Sequence, residues 1–254
     1  MSVSDIPNGA FHFRKTIKRI ENRNNPLIVS EVRLGSLPPE RIATPIPIDP
    51  DLLSEEESEA VSPSHYLGSS EKAGWLGECV VRFRVTNQSD LYVSVRAINI
   101  EKSKVPDLAE GSMLFIPQGS STDEPWRFIS NLDQDSPSMT YAEGAYPCYT
   151  GSSCANYFDE GSIEIAPGET SNFSIHLRAN GNSFRCSLYL RFQIGPKGSF
   201  ETIDVPTERD IFVYRPDSVS ENQMFRRTYS PTEPWIALES DKQFANTPYP
   251  FSWY

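Results

Sequence analysis

The chain has 254 residues, 38% of them hydrophobic, with 21 prolines and a formal net charge of -11. That length suits one large β domain or two small ones, and low apolar content with many prolines predicts one ordered core carrying long loops. The acidic balance argues against a nucleic-acid binder, and no apolar run of about 18 residues marks a transmembrane segment.

No apolar h-region stands near the N-terminus, so no signal peptide is visible. The expected compartment is the cytoplasm if Met1 is the native start, and extracytoplasmic if an anchor or signal was trimmed. Residues 1–36 read as an N-terminal hairpin or arm. Phe11 and Phe13 alternate, Leu27, Ile28, Val29, Val32 and Leu34 suit a strand, and Asn22, Asn24, Asn25 and Pro26 suit a turn between them. Residues 37–73 hold Pro38, Pro39, Pro45, Pro47, Pro50 and Pro63 among serines and acids, which predicts a linker or extended arm. A short helix could form over 52–60, with Asp51 or Ser54 as its cap. Charge is uneven: 11–23 is basic and 49–59 acidic. Both suit solvated surface, or a clamp between the two.

The core is expected over 74–214. Cys79, Val81, Phe83 and Val85 alternate with polar neighbours, and Asn87, Gln88, Ser89 and Asp90 turn the chain. Leu91, Val93, Val95 and Ala97 alternate next, then Ile98 and Ile100 take the opposite parity, which suggests a β-bulge or a crossing between sheets. Met113, Leu114, Phe115 and Ile116 suit a short strand. Residues 163–194 carry the clearest signal. Ile163 and Ile165, then Phe173, Ile175 and Leu177, then Phe184, Cys186, Leu188, Leu190, Phe192 and Ile194 hold period two between turn residues. Ile203 and Val205, then Ile211 to Tyr214 in sequence, suggest two more strands. The fold class is therefore all-β, an antiparallel sandwich with long insertions and an extended N-terminal arm.

The Pro167-Gly168-Glu169-Thr170 turn between alternating strands, and Val85-Thr86-Asn87-Gln88-Ser89-Asp90 between two more, resemble bacterial immunoglobulin-like and fibronectin-like domains. More narrowly, 79–214 resembles uncharacterised actinomycete proteins with one β-sandwich. The resemblance implies an immunoglobulin-like sandwich, in many cases placed outside the cell by an N-terminal membrane helix, and implies no activity.

Cys148 and Cys154 flank a short loop that could close as a disulfide. Cys79 and Cys186 fall in expected strands, either facing each other or as free buried thiols. Residues 117–160 form an insertion rich in acids and aromatics, and 215–254 an aromatic tail expected to pack on the domain or on a partner. Such composition suits a recognition surface, or a self-packed loop closing one end of the sandwich. The expected contact residues are Trp126, Phe128, Asp133, Asp135, Tyr141, Tyr146, Tyr149 and Tyr157. Asn131, Asp133 and Asp135 offer oxygen ligands at spacing two, a fragment of a calcium site at most, and no metal or cofactor is expected. His12, His65 and His176 are scattered, with His176 read as a surface residue, and no catalytic motif occurs. The expected function is a non-catalytic protein-binding module, an adaptor, accessory or assembly subunit, with a partner that could be basic. The alternatives are a carbohydrate-binding or cell-surface module and a β-sandwich hydrolase.

Overall fold

The computed structural model describes residues 26–35, 40–45, 70–108, 111–116, 126–141, 156–219, 224–227 and 235–237. These residues form strands in two sheets and one helical turn, α1 (Tyr157–Glu160). The first sheet has the order β1-β4-β10-β7-β8, with β1 (Leu27–Gly35), β4 (Glu78–Asn87), β10 (Thr170–Arg178), β7 (Trp126–Asn131) and β8 (Thr140–Tyr141). One half of the second sheet is β3 (Gly74–Leu76), β13 (Ile211–Tyr214), β11 (Ser183–Ile194), β5 (Val93–Val105) and the edge strand β9 (Ile163–Ile165), in that order. Beyond β3 it continues through β2 (Glu40–Thr44), β6 (Ser112–Ile116), β14 (Met224–Arg227) and β15 (Trp235–Ala237), and β12 (Phe200–Asp204) pairs with β11. The sheets thus extend past 74–214, taking in β1 and β2.

Alternation explains why these segments pair. Val81, Phe83 and Val85 of β4, Phe173, Ile175 and Leu177 of β10, Val93 and Val95 of β5, and Leu188, Leu190 and Phe192 of β11 share one apolar cluster. Phe83 and Phe173 stack there at 5.2 Å. Removing each such side chain from water contributes about 1.5–3 kcal/mol. The parity switch in β5 is a register shift opposite Arg191 and Phe192, where Ala97 and Val95 are the successive partners and Arg96 is the extra residue. Asn87 locks the β4–β5 turn to the β9–β10 turn. Its side-chain amide donates to Leu91 O and Ile165 O, its backbone N–H to Glu169 O, and its carbonyl accepts from Gly168 N–H.

One expectation needs correcting. The sheets are mixed rather than antiparallel, because β10·β7, β13·β3 and β14·β6 are parallel pairs. Hairpin turns enforce antiparallel neighbours, whereas a long connection lets a strand enter either way. Strand β7 lies within the expected insertion and enters the first sheet in the direction of β10.

Candidate functional site

The outer face of the first sheet carries a row of long cationic side chains. On β4 the alternation that sends Val81 and Phe83 inward sends Arg82 and Arg84 outward. On β10 it places Asn172, Ser174, His176 and Arg178 on the same side, and on β7 Arg127 and Ile129 stand opposite the buried Phe128. Strand β1 joins them through a bulge. Ser30 pairs with Arg84 but Arg33 pairs with Arg82, so three steps on β1 match two on β4. The extra residue reverses parity and turns Arg33 outward. Glu31, inside this bulge, has φ 50, the left-handed region.

Registers align one transverse row: Arg33 faces Arg82, Arg82 faces Ser174, and Ser174 faces Arg127. With strands about 4.8 Å apart, the row spans roughly 14 Å. Arg33 and Arg127 are exposed and Arg82 is half-buried. Their neighbours are neutralised: Arg84 Nη1 lies 2.8 Å from Glu31 Oε1, and Arg178 Nε lies 3.0 Å from Glu78 Oε2. Among the described residues, no acidic side chain pairs with Arg33, Arg82 or Arg127.

Beside the row runs a polar relay. The Ser174 hydroxyl and His176 Nε2 are 3.3 Å apart, and His176 Nδ1 stands 3.4 Å from Glu78 Oε1. Burial pushes the Glu78 carboxyl up, but His176 and then Arg178 outweigh it and hold it below its ordinary value. The order of groups is that of a nucleophile, a base and an orienting carboxylate. However, Ser174 is only 3% exposed and His176 9%. Both side chains are thus largely withdrawn from solvent. His176 therefore departs from expectation: it has outward parity, as the alternation requires, but it is covered, with Glu78 beside its Nδ1.

The residues expected to bind a partner are placed differently. Phe128 is fully buried and belongs to the core, so it is not a surface contact. Its ring meets Tyr141 at 5.6 Å, Tyr157 at 5.4 Å and Phe158 at 5.4 Å, and Tyr141 and Tyr157 are 5.4 Å apart. Burial, with a smaller push from Tyr141, raises the Tyr157 phenol above its usual range. Asp133 is a strut. Its carboxylate accepts the backbone N–H groups of Asn180, Gly181 and Asn182 at 2.7, 2.9 and 2.9 Å, and the Asn182 side-chain amide at 3.3 Å. Asn131 Oδ1 in turn accepts the Asp133 N–H. Of the suspected calcium fragment, Asn131 and Asp133 are thus engaged at the turn between β10 and β11, and the described residues hold no group of three or more His, Cys, Asp or Glu suited to a metal. Asp135 is exposed. Trp126 opens β7; its side chain lies outside the described residues, as do Tyr146, Tyr149, Cys148 and Cys154. Cys79 and Cys186 are reduced thiols and both are buried.

Reasoning from sequence missed Arg33, Arg82, Arg127 and the relay. The polar parity of β4 and β10 carried part of the signal. The bulge and the parallel entry of β7, which complete the row, have no local signature. No helix among the described residues is long and apolar enough to cross a membrane. No protein-family model matches the chain, and no curated protein matches it.

Proposed function

We propose that the chain is a non-catalytic protein-binding module that docks an acidic partner on the outer face of its first sheet. The observation that carries this reading is the row Arg33, Arg82 and Arg127, three guanidiniums without acidic partners among the described residues, on a chain of net charge -11. A patch opposite in sign to the whole molecule selects partners locally and orients their approach. Local charge therefore favours an acidic partner over the basic one suggested by composition. Phe128, Asp133, Tyr141 and Tyr157 of the acidic aromatic segment are engaged inside the fold, which weighs for the sheet face as the contact surface, although Asp135, Asp159 and Glu160 are exposed. The hydrolase alternative has its nearest geometric support in Ser174, His176 and Glu78, and the burial of that hydroxyl counts against it. The order β1-β4-β10 facing β9-β5-β11-β13 supports an immunoglobulin-like or fibronectin-like reading of the sandwich.

The test is affinity capture from the native host with the full chain and with an R33E/R82E/R127E variant, matched by circular dichroism. Acidic proteins held by the first, released by salt and absent from the second, are the expected result. Identical captures by both forms would remove the sheet face from the argument.

A further inference from the structure

Resting on the reading of this face as a docking surface, we infer that Arg82 and Arg127 clamp a tetrahedral oxyanion, a phosphoryl group carried on a side chain of the partner protein. Ser174 is the register partner of both arginines, so two long side chains rise on either side of a short one, with Cα atoms roughly 10 Å apart. Guanidinium forks can then converge over the serine from opposite sides, with Arg33 one strand further along the same row.

Two opposed forks discriminate between anions. A carboxylate carries one negative charge on two oxygens in one plane, so a second opposed fork gains less from it than the first. A phosphoryl group has three terminal oxygens and close to two negative charges at neutral pH, so it accepts from both forks at once. The surrounding charges agree. Glu78, the nearest carboxylate along β4, is held by Arg178 and His176, and Glu31 is held by Arg84, so neither competes for Arg82 or Arg127. A nucleic acid would supply phosphates too, but single strands are gripped by stacking bases on aromatic side chains. The described outer residues of β1, β4, β10 and β7 include no exposed aromatic side chain.

Isothermal titration of the full chain tests the assignment with three probes: an Ala-Gly peptide carrying one central phosphoserine, the same peptide with glutamate there, and a single-stranded oligonucleotide. The expected result is a Kd for the phosphopeptide at least about tenfold below that of the glutamate peptide, equivalent to about 1.4 kcal/mol. R82Q/R127Q should abolish this preference and R84Q should leave it, with thermal melts showing all three proteins folded. Equal affinity for both peptides, lost in R82Q/R127Q, would overturn the oxyanion clamp and leave the acidic-partner reading standing. Binding indifferent to R82Q/R127Q would overturn both. Tighter oligonucleotide binding that depends on the two arginines would replace the protein partner with a nucleic acid. Phosphopeptide binding seen only after the carboxylates of 49–59 are changed to amides would make the chain's own acidic segment the occupant and overturn an external one.

Discussion

At the scale of single residues, the most consequential side chain outside the basic row is Asp133. Burial raises its carboxyl, but the N–H groups of Gly181, Asn180 and Asn182 outweigh that and hold it below its ordinary value of 3.8. A carboxyl depressed in the folded state contributes stability above its unfolded value and loses it as pH falls through the folded value. Asp133→Ala should therefore cost about 1–2 kcal/mol at neutral pH, toward the low side for charge-assisted bonds because the carboxylate is partly exposed. Denaturant unfolding should show that gap closing below pH 3.8; a gap that stays constant into acid would mean the charge is not what the turn uses. The thiols offer a second check. Burial pushes the Cys186 thiol up to about 12, against a small opposing pull from Lys102, and Cys79 is fully buried. Since the thiolate is the reactive form, a C148S/C154S background should show no rapid alkylation in native buffer and two reactive thiols in denaturant. Rapid native labelling would instead reveal a core that opens readily.

At the scale of elements, the strands written in period two were legible, and those shaped by tertiary context were not. Phe173, Ile175 and Leu177, and the run from Phe184 to Phe192, announce their buried face because each inward position is apolar. Strand β7 does not. Its described inward positions are Phe128 and Ser130, too short an apolar signal to count, and its parallel neighbour β10 is far away in sequence. The β1 bulge was equally silent, since a glycine or asparagine would have flagged a positive φ and the chain has Glu31 there. Glu31→Gly should keep the bulge, with stability changed by no more than about 1 kcal/mol, because relief of the strained φ offsets loss of an exposed ion pair. Deletion of Glu31 should lower the unfolding midpoint and weaken any contact through Arg33. Equal midpoints for the two variants would show that the extra residue has no structural role.

At the scale of the whole molecule, overall charge pointed to a basic partner, whereas one sheet face is cationic. Composition averages over surfaces, and a binding surface is defined by which side chains the fold gathers. If that face directs association, raising salt should slow the rate of partner capture more than it speeds release, since steering acts over distances that counterions screen. Stopped-flow association at two ionic strengths measures this, and an on-rate unmoved by salt would argue for an apolar contact elsewhere. The bulge in β1 has one more consequence. Whether Arg33 joins its neighbours or points away from them depends on chain length at a single point, with no dependence on which amino acids are present. Gain or loss of one codon between Ser30 and Arg33 would switch that contribution on or off while the arginine count stayed the same, so variants of this protein should be compared by alignment gaps in β1 before they are compared by charge.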